Sequence, residues 1–172
     1  MKLSMITCTV TGTIGGYTVT KETTMKQIDT AQLDITACQA QAAEYHARGF
    51  NCDQAVACTL APAVGLDPHV AFTLTEGFGA GMGGMTETCG AISGAVAIMG
   101  FVMSDGMENP KTKGQTYKLS REIAKRFGEK NTTTVCGTLK GIGSDKGPLR
   151  SCPGCIDDAV EIACDVLKQL AE

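Results

Sequence analysis

Tryptophan is absent from the 172 residues, and aromatic residues make up only 5% of them. A core built on large rings is therefore excluded, and small residues, Met and Cys must fill much of the interior. Histidine is almost as scarce. His46 falls in the last turn of an expected helix and His69 beside a helix start, so neither is a convincing general base and hydrolytic chemistry has no carrier. An excess of basic charge is missing too: 15 Lys and Arg stand against 18 Asp and Glu, a net of -3, with no basic cluster. That excludes a phosphate-driven nucleic-acid partner and an anionic membrane surface. No apolar run reaches the roughly 20 residues that span a bilayer, since the stretch through Val102 is shorter and dotted with glycine. The amino terminus has one lysine followed by Thr7-Cys8-Thr9-Val10-Thr11-Gly12 rather than a continuous apolar segment, which makes it a poor export signal. A cytoplasmic protein is expected.

What the chain does have is cysteine, nine in all. An odd number without an export signal points away from a secreted disulfide framework and toward metal or redox chemistry in a reducing compartment. With 43% hydrophobic content, the length suits one sizeable core. The expected fold class is all-α, a single compact bundle of six or seven helices over residues 28–172. Residues 1–27 form an N-terminal extension: two Thr/Val-rich runs across Gly15-Gly16 have the signature of a β-hairpin. Cys8 within it reads as incidental.

The helices follow from periodicity and caps. An Ala/Gln-rich segment from Asp29 or Thr30 to Arg48, with Leu33, Ala37 and Ala40 at helical spacing, predicts a long first helix stopped by Gly49. Asn51-Cys52-Asp53-Gln54 fits a capping box and launches a second helix through Leu60. Asp67-Pro68 starts a short third one, to about Thr75 or Phe78. The apolar, small-residue run from Cys89 to Met103 predicts a helix with one smooth face. A loop from Ser104 to Gln115 follows. Tyr117 to Phe127 predicts an amphipathic helix ending at Gly128. A short piece begins at Val135-Cys136, a surface loop runs from Gly141 to Pro148, and Ile156 to Ala171 forms the last helix behind Cys152-Pro153-Gly154-Cys155.

Sorting the cysteines by position separates two groups. Cys38, Cys58 and Cys164 fall inside helices, where a free Cys is usually a small buried hydrophobe. Cys52, Cys89, Cys136 and Cys152 instead follow Asn, Thr, a Thr run and Ser at helix starts. Unsatisfied N–H groups and the dipole there favour thiolate, the form that ligates metals and attacks electrophiles. Four such positions converging would make a thiolate pocket. Gly77, Gly79, Gly81, Gly83 and Gly84 precede Cys89 and free the backbone to lay N–H groups around its contents. The glycine run lacks the Lys-Ser/Thr ending of a phosphate loop. Cys152 and Cys155 resemble a redox dithiol, although no β-α-β context surrounds them.

Together, Asn-Cys52-Asp-Gln-Ala-Val, Phe-Gly-Ala-Gly-Met-Gly-Gly, Thr-Cys89-Gly-Ala-Ile-Ser-Gly-Ala, Cys136, and Cys152 ahead of Ile-Asp-Asp-Ala-Val resemble the C_GCAxxG_C_C family of redox-active proteins, from about residue 35 to the C-terminus. Cys155 departs from the family pattern and leaves open whether Cys152, Cys155 or both belong to the site. The resemblance implies a redox role, and an evolutionarily related domain occurs beside an iron–sulfur site in split-Soret cytochrome c. No Cys-x-x-Cys-His is present, so c-type haem is not expected. Three chemistries follow. The first is an iron–sulfur cluster for electron transfer, with Cys52, Cys89, Cys136 and Cys152 as ligands and Gly79, Gly81, Gly83, Gly84 and Gly90 around it. The second is thiol–disulfide exchange at Cys152 and Cys155, with Cys89 as a third thiol. The third is a structural zinc site. A redox partner protein is expected, and the sequence does not name it; a homodimer stays open.

Overall fold

The computed structural model describes residues 7–14 and 17–24, for which only the backbone is considered, and residues 26–172. Strands β1 (Thr7–Ile14) and β2 (Tyr17–Thr24) pair antiparallel, Thr7 opposite Thr24 and Ile14 opposite Tyr17. The Gly15-Gly16 turn lies outside the described residues. Among those residues the rest is helical: α1 (Ile35–Ala47), α2 (Cys52–Leu60), α3 (Pro68–Thr75), α4 (Gly90–Met103), α5 (Lys113–Asn131), α6 (Cys136–Leu139) and α7 (Cys152–Ala171). No helix among them is long and apolar enough to cross a membrane.

Helix α2 is the axis of the bundle. It packs against α1, α3, α4 and α7, and eight of its nine residues are buried. Its start is fixed by the predicted capping box. Gln54 N donates to Asn51 Oδ1 at 2.9 Å, and Asn51 N donates to Gln54 Oε1 at 3.0 Å. Asn51 Nδ2 also donates to the Glu76 carbonyl at 2.9 Å, which ties the start of α2 to the turn after α3.

The smooth face of α4 meets α2 through Gly90, Ala91, Gly94 and Ala95, all buried. Contact is so close that a Cβ on Gly94 would stand 2.5 Å from the carbonyl oxygen of Asp53. Helix α5 lies over α4 and α7 with Ile123 and Phe127 fully buried. Each contributes on the order of 2 kcal/mol by leaving water. Three of the few aromatic rings form one group, Tyr45 stacked on Phe50 at 4.8 Å and Phe50 edge-on to Phe72 at 4.7 Å.

Several boundaries differ from expectation, among them the start of α5 at Lys113, inside the loop expected from Ser104 to Gln115. The first helix is split. Asp29 caps a single 3-10 turn at Thr30–Gln32, and Asp34 caps α1 separately by accepting from Ala37 N at 2.8 Å. With two Asp residues competing as caps, the later one begins the longer helix, and Leu33 between them is buried. Helix α5 runs through Gly128 to Asn131, because packing of its apolar face outweighs the roughly 1 kcal/mol that a mid-helix glycine costs. It stops where Thr132 turns left-handed, φ 73°.

Candidate cysteine site

Four segments carry the site cysteines to one end of the bundle. Cys52 is the first residue of α2 behind its capping box. Cys152 is the first residue of α7, whose cap Ser151 accepts from Gly154 N at 3.2 Å. At the other two positions the expected Thr caps are not used. Cys89 is itself the N-cap of α4, with no side-chain cap bond, and Val135 caps α6 in the same way ahead of Cys136. Thr88 and Val135 instead form an antiparallel β-bridge. Cys89 N donates to the Thr134 carbonyl at 2.8 Å and Cys136 N donates to the Glu87 carbonyl at 2.9 Å. Two Thr-rich approaches, both β-formers, thus pair with each other and set Cys89 and Cys136 side by side.

Cys52, Cys89, Cys136 and Cys155 are buried, and Cys152 is half-buried. Cys89 is the centre, its thiol in contact with those of both Cys52 and Cys155. Cys136 lies within electrostatic reach of Cys52 and Cys152. Lys140 sits against Cys152. All four helix-start cysteines therefore share one region. Cys155, whose place was open, belongs to its interior. The signal was its spacing: three residues after Cys152 in a helix puts both on one face. Cys38 and Cys164 are in contact with each other elsewhere, between α1 and α7.

The glycines divide. A Cβ on Gly90 would stand 2.6 Å from Cys52 Sγ, one on Gly81 2.6 Å from Cys136 Cβ, and one on Gly79 2.5 Å from the Asn51 side chain. These three are bare because cysteine-bearing segments lie against them. Gly83 has open space around it and Gly84 only Thr86 Oγ1 at 3.7 Å, so neither forms a wall. The backbone N–H directed from this loop onto a site sulfur belongs to Ala80, which points at Cys52; Asp53 N–H joins it, and Ala91 N–H points at Cys89. Ala80, Met82 and Met85 all have positive φ, 49°, 52° and 62°. Non-glycine residues pay about 1–2 kcal/mol each for that conformation, and such strain gathers at functional sites.

Electrostatically the pocket departs from expectation. Helix starts favour thiolate, yet the Cys52 thiol is pushed far up by its contact with Cys89 and by burial. Cys89 is pushed up to about 12 by Cys155 and by burial, although contact with Cys52 opposes the rise. Burial raises Cys136 as well. Desolvation and sharing of protons among neighbouring thiols outweigh a half-charge at a helix end. Next to Cys52, Asp53 is fully buried with no partner for either carboxylate oxygen. Burial first, and the Cys52 sulfur second, push its carboxyl up to about 8. An acidic residue in a capping box gave no sign of being buried. Below the site, Asp158 is 2% exposed. It accepts from Arg150 Nε at 2.9 Å and Nη2 at 3.1 Å, and pairs with Lys130 at 2.9 Å. Arg150 also fills the space that a side chain on Gly154 would take, and so braces the turn between Cys152 and Cys155.

The fold and site define a helical bundle with thiols clustered at converging helix starts. The family model described as "putative redox-active protein (C_GCAxxG_C_C)" matches residues 50–166, and the chain belongs to that family. No curated protein and no solved structure matches it.

Proposed function

We propose that the cysteine site holds an iron–sulfur cluster and that the protein transfers electrons. The observation that carries this reading is the meeting of Cys52, Cys89, Cys136 and Cys152 at one end of the bundle with sulfur as their shared donor atom. An all-thiol set suits iron–sulfur clusters or zinc. Among the described residues no three His, Cys, Asp or Glu side chains lie close enough to hold one ion. Because the Cys52, Cys89 and Cys136 thiols are raised by burial and by one another, binding of either iron or zinc would release protons. The N–H groups of Ala80, Asp53 and Ala91 would then hydrogen-bond ligand sulfurs, a recognised means of tuning cluster potential.

Anaerobic purification and reconstitution, with iron, acid-labile sulfide and zinc determined together, test the proposal. Brown protein with iron and sulfide in comparable amounts is expected, and loss of both in Cys52→Ala/Cys89→Ala. Colourless protein without iron after reconstitution would sink it, and stoichiometric zinc would replace it with a structural site.

A further inference from the structure

We infer that Cys152, Cys155 and Cys89 form a thiol relay through which the metal-free chain reduces a small anionic disulfide. This activity is separate from electron transfer by a cluster. The arrangement runs from surface to interior. Among the described cysteines Cys152 alone is not buried. Lys140 lies against it, and Arg150 crosses the turn that follows. The mouth thus carries one accessible thiol beside the Lys140 ammonium, while the Arg150 guanidinium is held by Asp158. Cys155 is one helical turn further in, on the same face of α7, and 3% exposed. Its thiol contacts Cys89 on the facing segment, also 3% exposed, so an oxidising equivalent can pass from mouth to core without any thiol leaving its helix.

The chemistry balances with the substrate as the sole oxidant. The Cys152 thiolate attacks one sulfur of R–S–S–R; that bond breaks, one RS⁻ departs and takes a proton from water, and Cys152 is left in a mixed disulfide. Cys155 attacks the Cys152 sulfur, passes its proton to the second departing RS⁻, and leaves a Cys152–Cys155 disulfide. Cys89 then attacks Cys155, its proton going to the freed Cys152 thiolate. The net change is one external disulfide to two RSH, with Cys89 and Cys155 oxidised by two electrons to a buried cross-helix disulfide. Each exchange passes through a mixed disulfide.

The test is a single-turnover reaction of the full chain, stripped of metal by chelator and kept anaerobic. Oxidised glutathione, which carries carboxylates, is compared with cystamine, which carries amines. Two thiols released per chain are expected, with mass spectrometry placing the disulfide at Cys89–Cys155. Cys155→Ser should release one thiol and hold a glutathione adduct on Cys152. Cys89→Ser should release two and stop at Cys152–Cys155. Cys152→Ser should slow release about a hundredfold, and Cys58→Ser should leave it unchanged. Lys140→Met should cut the preference for glutathione over cystamine about tenfold. Circular dichroism confirms that each variant is folded. An adduct on any cysteine other than Cys152, or wild-type stoichiometry in Cys155→Ser, overturns the relay. Colourless protein with full thiol release sinks the cluster alone, whereas brown protein whose stripped form releases none sinks the relay alone.

Discussion

Three glycines on α4 should respond to alanine in three different ways, because each faces a different neighbour. At Gly100 nothing lies within 4 Å of the added Cβ, so Gly100→Ala gains helix propensity, about 0.5–1 kcal/mol. At Gly94 the Cβ would stand 2.5 Å from the Asp53 carbonyl oxygen and 3.2 Å from its carbon. The obstacle is backbone on a helix buried at eight of its nine positions, so α2 and α4 must separate. Overpacking of this kind costs about 1–3 kcal/mol, and after the propensity gain a net loss of about 1–2 kcal/mol remains. At Gly90 the obstacles are Cys52 Sγ at 2.6 Å, the Phe78 carbonyl at 3.0 Å and Gly79 Cα at 3.1 Å. Gly90→Ala should lose as much stability and also displace a site thiol. In a chain of this length 1 kcal/mol moves Tm by about 2–4 °C. Calorimetry on the metal-free proteins should therefore place Gly100→Ala a few degrees above wild type and the other two several degrees below. Iron uptake on reconstitution should separate Gly90→Ala, which loses it, from Gly94→Ala, which retains more. If Gly94→Ala were as stable as Gly100→Ala, the close approach of α2 and α4 would be wrong, and with it the placement of Cys52.

Asp53→Asn should stabilise the metal-free protein. The carboxyl is raised from 3.8 to about 8, so its contribution is neutral below pH 3.8 and becomes a penalty as pH rises from there to about 8, beyond which it is constant. At about 1.4 kcal/mol per unit, the gain at pH 7 is bounded near ~4 kcal/mol; urea unfolding of both proteins at pH 5 and pH 8 should show a larger difference at pH 8. Asp158 has the opposite sign. Burial alone would raise its pKa, but Lys130, Arg150 and Asn131 bring it below the usual value. Its stabilisation is present above pH 3.8 and is lost as pH falls through the lowered folded value. Asp158→Asn should cost about 2 kcal/mol at pH 7, less than a fully buried pair because both cations can rehydrate, and the difference from wild type should shrink in acid. Met82 is 57% exposed with left-handed backbone, φ 52° and ψ 45°. Met82→Gly should therefore gain about 1 kcal/mol by thermal unfolding.

The elements most legible in the sequence were those written in local chemistry. A capping box at Asn51, Pro after Asp67 at α3, small residues on α4 and the amphipathic pattern of α5 each act within a turn or two, and each reappears in the fold. The features that escaped depend on partners far along the chain. Thr86-Glu87-Thr88 and Thr132 to Thr134 have residues suited equally to helix caps and to strands. Only their meeting across 47 residues, Thr88 to Val135, decides for a β-bridge. Asp53 occupies an ordinary first-turn position, and its isolation follows from Gly94 pressing on it from another helix. The sense of the pKa shifts was likewise hidden, since proximity to a helix start is a local property and desolvation is a global one.

These shifts bear on how the two proposed chemistries would share one site. Cys52, Cys89 and Cys136 sit where an uncompensated thiolate is costly, with Lys140 placed at the Cys152 end. A buried thiol in such a place can lose its proton at low cost in two ways. It can gain a metal, whose positive charge replaces the proton, or it can gain a second sulfur, which leaves a neutral disulfide. The disulfide leaves no charge, a metal offsets only part of the thiolate charge, and both engage Cys89. They therefore compete for one sulfur. Oxidation to Cys89–Cys155 before reconstitution should reduce iron uptake in the wild-type chain, and reduction of that disulfide with dithiothreitol should restore it. Full iron uptake by a chain in which mass spectrometry shows Cys89–Cys155 intact would show that the two chemistries do not share Cys89.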